Sequence, residues 1–351
     1  MISPPLSQSW PRPARPRPIV IFGAGSIVGD AHLPAYRLAG FPVAGIYDRD
    51  RERARRLADA WGVPAFAEIA AALAVPDAVF DLALPPSVHA GVLVRLPRGA
   101  PVLIQKPMGG DLAEASRILA ICQDRDLVAA VNFQLRFSPM MLVVADAARR
   151  GLLGRIVDVE VHLNLLTPWH LFAFLKGAER VELTLHSIHY LDTVRALLGD
   201  PAGVLARTLG HPASDVAQTR TSAILDYGGD VRCTLSINHD HRFGRRFQDA
   251  SFRIEGTAGA AMVKLGLLLD YPRGEPDELW ITAGGDWIEV PLAGGWFPHA
   301  FAGVMSNLQR VAAGEDARLE TGVEDAWRTM ALVEACFEAS RAPATPVARR
   351  P

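Results

Sequence analysis

The sequence predicts an α/β protein of two domains, a doubly wound parallel sheet followed by an α/β domain with an open, mostly antiparallel sheet. Up to about residue 131, short continuous apolar runs alternate with helical segments, which is typical of buried parallel strands covered by helices on both faces. After that point, strands with alternating polar and apolar residues follow one another without helices between them. Such succession favours antiparallel pairing with one solvated or ligand-facing side.

Composition supports a folded chain and excludes several classes of function. The 351 residues are half hydrophobic, and the net charge is -2, so packed cores are expected and a nucleic-acid-binding surface is not. No apolar run approaches the roughly 18 residues of a membrane-spanning helix. The three cysteines are far apart and form no metal or disulfide pattern, so we expect a reducing, cytoplasmic location.

The first 17 residues are rich in proline and arginine and lack the apolar segment of a signal peptide. We expect residues 1–17 to be a flexible arm. The alternative is an extended arm that lies on a partner subunit, with Trp10 as its anchor.

The first domain is predicted over residues 18–131. Its strands are the runs PIVIF, VAGIYD, AVFDLAL, PVLIQ and LVAAVNF, with helices between them. The helix RERARRLADAWG has Gly62 at its C-terminus, as a left-handed cap requires.

The second domain is predicted over residues 132–351. A helix and the long alternating strand RIVDVEVHLNLL open it, and the helical segment ELTLHSIHYLDTVR follows. Seven more strands and two C-terminal helices complete the chain.

A glycine-rich turn follows the first strand. Gly23 permits a tight turn, and Gly25 lets backbone approach a pyrophosphate at the positive end of the next helix, which Ser26 and Ile27 begin. Val28 occupies the position of the third glycine in the usual GxGxxG pattern. The turn lies between a strand and a helix, and an acid ends the second strand, so the sequence predicts dinucleotide binding.

The acid at the end of the second strand is Asp48, which is expected to bind the adenosine ribose hydroxyls and to repel a 2′-phosphate. NAD is therefore the predicted cofactor. Arg49 and the arginines after it weaken this preference, since one of them could pair with a phosphate, and NADP is the alternative.

Two further loops end at the same edge of the sheet. Lys106 directly follows the fourth strand, between Gln105 and Pro107, where ligands bind in open α/β folds. A lysine held there in a partly buried site has a lowered pKa and can exchange a proton. After the third strand, Pro85 and His89 are expected to contact the cofactor, with a helix-surface histidine as the alternative for His89.

Together these motifs resemble the Gfo/Idh/MocA family of NAD(P)-dependent oxidoreductases, which includes glucose-fructose oxidoreductase and inositol dehydrogenase. GAGSIVGDAHLPA resembles the cofactor turn of the family, and QKP resembles its EKP signature, with glutamine in place of glutamate. LPPSVHAGV resembles a cofactor loop, VNFQLRFSP the segment that crosses between domains, and LHSIHYLD the helix with the catalytic histidine. The resemblance extends from about residue 18 to residue 341.

The resemblance implies a Rossmann domain, a second domain whose open sheet forms subunit contacts, and a homodimer or homotetramer. It also implies hydride transfer between nicotinamide and a secondary alcohol or hemiacetal carbon of a sugar, sugar derivative or cyclitol. The peptide bond between Lys106 and Pro107 is expected to be cis. Two alternatives remain open, an NAD-dependent glycoside hydrolase with transient hydride transfer and a cofactor-binding regulator without turnover.

By the same resemblance, Lys106 and His189 are the catalytic pair, flanking the reacting oxygen. The family pattern also has an aspartate four residues before the histidine, and Leu185 stands at that position here. Either His186 or a substrate carboxylate replaces the missing acid, or the chemistry is altered or lost.

Other residues are candidates for substrate contact. Arg136 could hold a hydroxyl or carboxylate, with a salt bridge as the alternative. Trp169 and His170 could stack on a sugar ring or cover the nicotinamide, with core packing as the alternative. His186 and His189 complete this set, and His186 is equally well explained by a structural role.

No metal is predicted, because zinc needs three or four ligands and the family chemistry needs none. His239 and His241 are expected to lie on the strand VRCTLSINHDH, where alternation points both the same way, and they could approach His186. Asp192 is expected to pair with Arg195, three residues later on the helix.

Overall fold

The computed structural model describes residues 5–169, 177–271 and 273–347. Its first sheet is parallel throughout, with the strand order β2-β1-β3-β4-β5. These strands are Ile19–Phe22 (β1), Val43–Tyr47 (β2), Val79–Leu82 (β3), Pro101–Ile104 (β4) and Val128–Val131 (β5). The predicted doubly wound parallel sheet is confirmed.

Helices cover both faces of this sheet because its strands are apolar on both sides. Val20 and Phe22 face one layer, and Ile19 and Ile21 face the other. The helices between the strands are Leu33–Ala39 (α1), Arg51–Trp61 (α2), Ile69–Leu73 (α3), Pro86–Leu93 (α4) and Leu112–Asp124 (α5). Gly62 caps α2 with φ 65°, as predicted.

The second sheet has eight strands in the order β13-β12-β11-β10-β6-β9-β8-β7. Each neighbouring pair is antiparallel except β6 and β9, so the mostly antiparallel prediction is confirmed. The strands are Ile156–Asn164 (β6), Gly203–Leu209 (β7), Arg220–Asp226 (β8), Arg232–Asn238 (β9), Asp249–Gly256 (β10), Ala260–Lys264 (β11), Glu278–Thr282 (β12) and Ile288–Glu289 (β13).

The remaining helices connect the two sheets. They are Pro139–Arg149 (α6), Ile188–Leu198 (α7), His299–Ala312 (α8) and Val323–Arg341 (α9). Phe301 and Leu308 of α8 pack with Ile19 and Ile21 of the first sheet. The chain therefore returns to the first domain after the second sheet, and a division at residue 131 separates the sheets but not the helices that cover them.

The N-terminal arm lies on its own chain from residue 5 onward. The Trp10 indole N–H donates to Asp316 at 2.8 Å, and its ring meets Phe137 edge-on at 5.2 Å. The Ser7 amide donates to Asp146, and the Arg17 amide donates to Gln309. The expectation of a flexible arm therefore does not describe residues 5–17, because these polar contacts and the Trp10 ring attach the arm to α6 and α8.

None of the helices in the described ranges is both long and apolar enough to cross a membrane.

We expect Trp10→Ala to lower the free energy of unfolding by about 2 kcal/mol, because it removes a partly buried ring and leaves Asp316 without one donor. Chemical denaturation measures this. Arg15→Ala is the matched control, since Arg15 is exposed on the same arm. Equal stability of the two variants would show that the arm contributes nothing to the fold.

Candidate active site

The glycine turn has the shape that a dinucleotide phosphate needs. Gly23 has φ +106°, and a Cβ there would lie 2.3 Å from the Ala83 carbonyl oxygen, so only glycine fits. A Cβ on Gly25 would meet nothing within 4 Å, which leaves open space beside the backbone. Ser26 is exposed and Ile27 is partly buried, and both lie in the first turn of the helix that continues into α1. These residues fit the pyrophosphate of NAD.

Asp48 is held against this turn. Its two carboxylate oxygens accept hydrogen bonds from the Ala24 and Asp50 amides, each at 2.8 Å. Each oxygen keeps a further lone pair, so the carboxylate fits two ribose hydroxyls. Arg49 is exposed beside it, which leaves the NADP alternative sterically open.

A buried polar cluster fixes the first helix to the sheet. His32 Nδ1 lies 2.7 Å from Asp81 of β3, and the Tyr36 hydroxyl donates to the same carboxylate oxygen at 2.6 Å. All three side chains are fully buried. The glycine turn is therefore attached to the central strand by hydrogen bonds as well as by packing. No local pattern in the sequence predicts this cluster.

The loop after β3 is also held in place. His89 is buried, and its Nε2–H donates to the Leu84 carbonyl at 3.0 Å. Burial lowers the pKa of His89 to about 4, so the ring is neutral. His89 is therefore not a helix-surface residue. It supports the loop in which Pro85 is exposed toward the cofactor edge of the sheet.

Lys106 reaches from the first domain to the second. Its Nζ donates to the carbonyl of Leu185 at 2.8 Å. The Gln105 side chain accepts from the Lys106 amide at 3.1 Å, and the bond to the buried Pro107 is cis, as expected. Burial lowers the pKa of Lys106 to about 8. The backbone of Leu185 therefore offers Lys106 an oxygen where an acid was expected.

The two histidines of the opposite wall lie at the start of α7. His189 is buried, with Phe133 and Trp296 edge-on to its ring at 6.4 Å and 5.7 Å. Burial, and then the charge of Lys106, lowers the pKa of His189 well below its ordinary value. Burial, then His239, Lys106 and His189, lowers the pKa of His186 in the same way. Both rings are therefore neutral at neutral pH.

A π-helical turn, Leu183–Ser187, precedes α7 and shapes this wall. In such a turn the hydrogen-bond ladder is displaced, which often marks a functional site. The Leu185 side chain packs with Val181, Val216 and Trp169. It therefore lies in an apolar satellite cluster.

Trp169 and His239 complete the wall beside His186. The Trp169 ring lies edge-on to His186 at 5.4 Å and to His239 at 5.8 Å. The rings of His186 and His239 lie 4.6 Å apart between centroids, tilted by 41°. The structure therefore places Trp169 beside His186, and the predicted substrate contact of Trp169 stays a prediction, whereas His170 lies outside the described residues.

Arg136 is committed to ion pairs. Its guanidinium donates to Asp192 at 2.6 Å and 2.5 Å, to Asp325 at 2.7 Å and to the Glu320 carbonyl at 2.9 Å. Its side chain is 10% exposed. Substrate contact by Arg136 is therefore not supported by its position, and the salt-bridge alternative describes it. Asp192 forms its ion pair with Arg136. Arg195, the predicted partner of Asp192, therefore pairs with Asp200 and Asp325.

Among residues 5–169, 177–271 and 273–347, no three or more histidine, cysteine, aspartate or glutamate side chains are placed to hold a metal ion. His239 does approach His186, as the sequence suggested, whereas His241 meets the exposed Phe243.

Family models match both halves of the chain. The model described as oxidoreductase family, NAD-binding Rossmann fold, matches residues 17–133, and the Gfo/Idh/MocA C-terminal domain model matches residues 141–262. The chain belongs to the Gfo/Idh/MocA oxidoreductase family. Its first domain is accordingly an NAD-binding Rossmann domain, which agrees with the geometry of the glycine turn and Asp48.

Known members of the family resemble the chain over much of its length. D-apiose dehydrogenase from Rhizobium rhizogenes is 23% identical over 315 residues, which cover 86% of this chain and 88% of the relative. Inositol 2-dehydrogenase from Streptomyces avermitilis is 29% identical over 245 residues, covering 61% and 68%. A solved oxidoreductase from Agrobacterium radiobacter, in complex with NAD⁺, L-tartaric acid and magnesium, has TM-score 0.77 at 20% identity, covering 93% and 96%. At this sequence identity, the structural similarity shows that the two proteins share a fold.

Three residues of the site were missed in the sequence. Trp296 comes from the loop before α8, and Phe133 from the end of β5. Glu182 is fully buried behind His239. Aromatic residues near proline and glycine are common in loops, so only the fold reveals that Trp296 reaches His189. Glu182 lies three residues before Leu185. The only indication of its role in the sequence is that it is an acidic residue within an apolar helical segment.

We expect Asp48→Asn to weaken NAD binding about tenfold, because the charged acceptor for the ribose hydroxyls is lost. NADP binding should weaken less or improve, because the repulsion of its 2′-phosphate is removed. Calorimetric titration of both cofactors measures this without a substrate. Asp59→Ala, an exposed change on α2, is the control. An unchanged ratio of the two affinities would contradict the role of Asp48.

Proposed function

We propose that the chain is an NAD-dependent dehydrogenase that transfers a hydride between nicotinamide and a secondary alcohol or hemiacetal carbon of a sugar, sugar derivative or cyclitol. The observation that carries the proposal is Lys106, half-buried at the carboxyl edge of the Rossmann sheet, with neutral His189 on the facing helix. The named sugar and inositol dehydrogenases among its relatives support the substrate class.

Bound nicotinamide supplies or accepts the hydride. The chain must then remove the proton from the hydroxyl group of the substrate, and a positioned base does this. Lys106 and His189 are proposed to flank the reacting oxygen, Lys106 from the β4 loop and His189 from α7. The aromatic rings of Phe133 and Trp296 exclude water from His189, and Trp169 offers an apolar face to a sugar ring.

Gly23, Gly25, Ser26, Ile27 and Asp48 are proposed to bind the phosphates and ribose. Pro85, supported by His89, and the segment Gln105–Pro107 are proposed to border the nicotinamide half, since both loops lie at the carboxyl edge of the sheet. Arg49 would contact a 2′-phosphate if NADP binds.

We also propose assembly into a homodimer or homotetramer through the outer face of the second sheet. A groove of about 320 Å³ lies there, lined by residues that include the exposed Trp280 and Trp287, and an apolar face of this kind favours contact with another subunit. Light scattering that gives the mass of one chain would exclude this. The buried, unpaired cysteines support a cytoplasmic location, and cell fractionation tests it.

We expect the purified protein to reduce NAD with at least one member of a panel of aldoses, sugar acids, polyols and inositols. Formation of NADH by absorbance is the measurement, and glycosides are tested in parallel. Release of sugar from a glycoside without net NADH would replace the proposal with NAD-dependent glycoside hydrolysis. Cofactor binding without turnover of any compound would favour a regulator.

We expect the rate of alcohol oxidation to rise with pH, with a midpoint near the pKa of about 8 for Lys106. The sign follows because only the neutral amine, which predominates above that pKa, can accept the hydroxyl proton. Lys106→Met should reduce kcat by about a hundredfold or more. Lys106→Arg keeps a positive charge that does not titrate, so the rate of this variant should not rise with pH either. Full turnover by Lys106→Met would contradict the mechanism.

A further inference from the structure

The cationic and basic groups of this site have no acid in direct contact. Within the described part of the chain, no carboxylate hydrogen-bonds to Lys106, His186 or His189, and Lys106 binds the Leu185 carbonyl. A hydride-transfer site that gains a proton needs a nearby negative charge to balance it. The position where the family pattern has an aspartate is apolar here.

Glu182 is a buried carboxylate behind this wall. It is fully buried, and it accepts hydrogen bonds from the hydroxyls of Ser187 and Thr221. Its Oε1 lies 3.6 Å from Nε2 of His239. No lysine or arginine of the described residues forms an ion pair with it. The hydroxyl groups satisfy lone pairs but carry no charge, so the carboxylate has one candidate counter-ion in reach, His239.

His239 connects Glu182 to the site. Its Nδ1 lies 2.8 Å from the Thr167 hydroxyl, and its buried Nε2 has no hydrogen-bond partner and faces Glu182. Its ring lies 4.6 Å from that of His186, tilted by 41°, with Trp169 edge-on to both rings. His186 therefore packs against a ring that has Thr167 at one nitrogen and Glu182 facing the other.

Other titratable groups around Glu182 cannot balance its charge. Burial, and then Glu182, raises the pKa of Tyr190 well above its ordinary value and that of Cys336 to about 12, so both stay neutral. Lys106 and His189 face His186 from the β4 loop and from α7. Because a buried polar group is costly unless it is paired, His239 is the basic side chain that Glu182 faces among these groups.

We propose that Glu182 is the carboxylate behind this site, acting through His239 to orient His186. It is a positioning residue, since it touches neither substrate nor cofactor. This inference rests on the proposed function for its catalytic consequence. The hydroxyl proton of the substrate passes to Lys106, and Glu182 takes no part in that transfer.

The test compares Glu182→Gln with Glu179→Gln, an exposed change just before the same turn. Histidine carrying a nitrogen isotope label reports by NMR, without substrate, on the surroundings of each ring. We expect Glu182→Gln, and not Glu179→Gln, to shift the ring-nitrogen signals of His239 and His186, which His239→Phe and His186→Phe assign. Unshifted signals of both rings in Glu182→Gln would overturn the positioning role.

Kinetics on the best alcohol of the panel provide the second readout. We expect Glu182→Gln to lower kcat about tenfold, to change the pH profile and to leave the affinity for NAD unchanged. An unchanged kcat and pH profile would overturn the positioning role. If Glu182→Gln does not fold, His239→Phe carries the same kinetic test, because it keeps an aromatic ring beside His186 and removes the nitrogen that faces Glu182. If no alcohol is oxidised, the proposed function fails, whereas the NMR result still decides whether Glu182 positions the two histidine rings.

Discussion

The hydrogen bond from Lys106 to the carbonyl of Leu185 joins the two halves of the site. Lys106 belongs to a loop at the edge of the parallel sheet, and Leu185 belongs to the π-helical turn before α7. The pKa of a lysine at this position approaches neutrality only when the side chain is shielded from bulk water. A shielded ammonium group then needs a hydrogen-bond acceptor. The facing helix can provide that acceptor only if the two domains keep a constant relative position.

Several contacts away from the site maintain that position. Arg136, between the domains, holds Asp192 of α7 and Asp325 of α9. Arg195 binds Asp325 from the other side and donates to Thr329 of α9. Removing one partner of such a buried network leaves an uncompensated charge, which is strongly destabilising. These pairs therefore fix the position of α7. His189 lies on the same helix, three residues before Asp192, so its position is fixed as well.

The return of α8 to the first sheet has a similar effect. Its apolar face completes the layer beside Ile19 and Ile21, while the arm attaches at Trp10 to the segment after α8. Periodicity identified α8 as a helix but not the sheet it covers, because an apolar stripe does not specify its partner. Repeated local patterns predicted the strands, the glycine turn, Asp48 and the Lys106 loop. Long-range pairing, as in Arg136 with Asp192 and Asp325, has no local pattern.

The apolar surroundings of Leu185 explain why an acid at this position would be unfavourable in this chain. Its side chain packs with Val181, Val216 and Trp169, and a carboxylate among these largely apolar groups would lose hydration. One helical turn earlier, Glu182 finds two hydroxyl donors and a histidine. A buried acid is tolerated where hydrogen-bond partners are available. The carboxylate of this wall therefore lies behind His239, and the Leu185 backbone carbonyl is the group that meets Lys106.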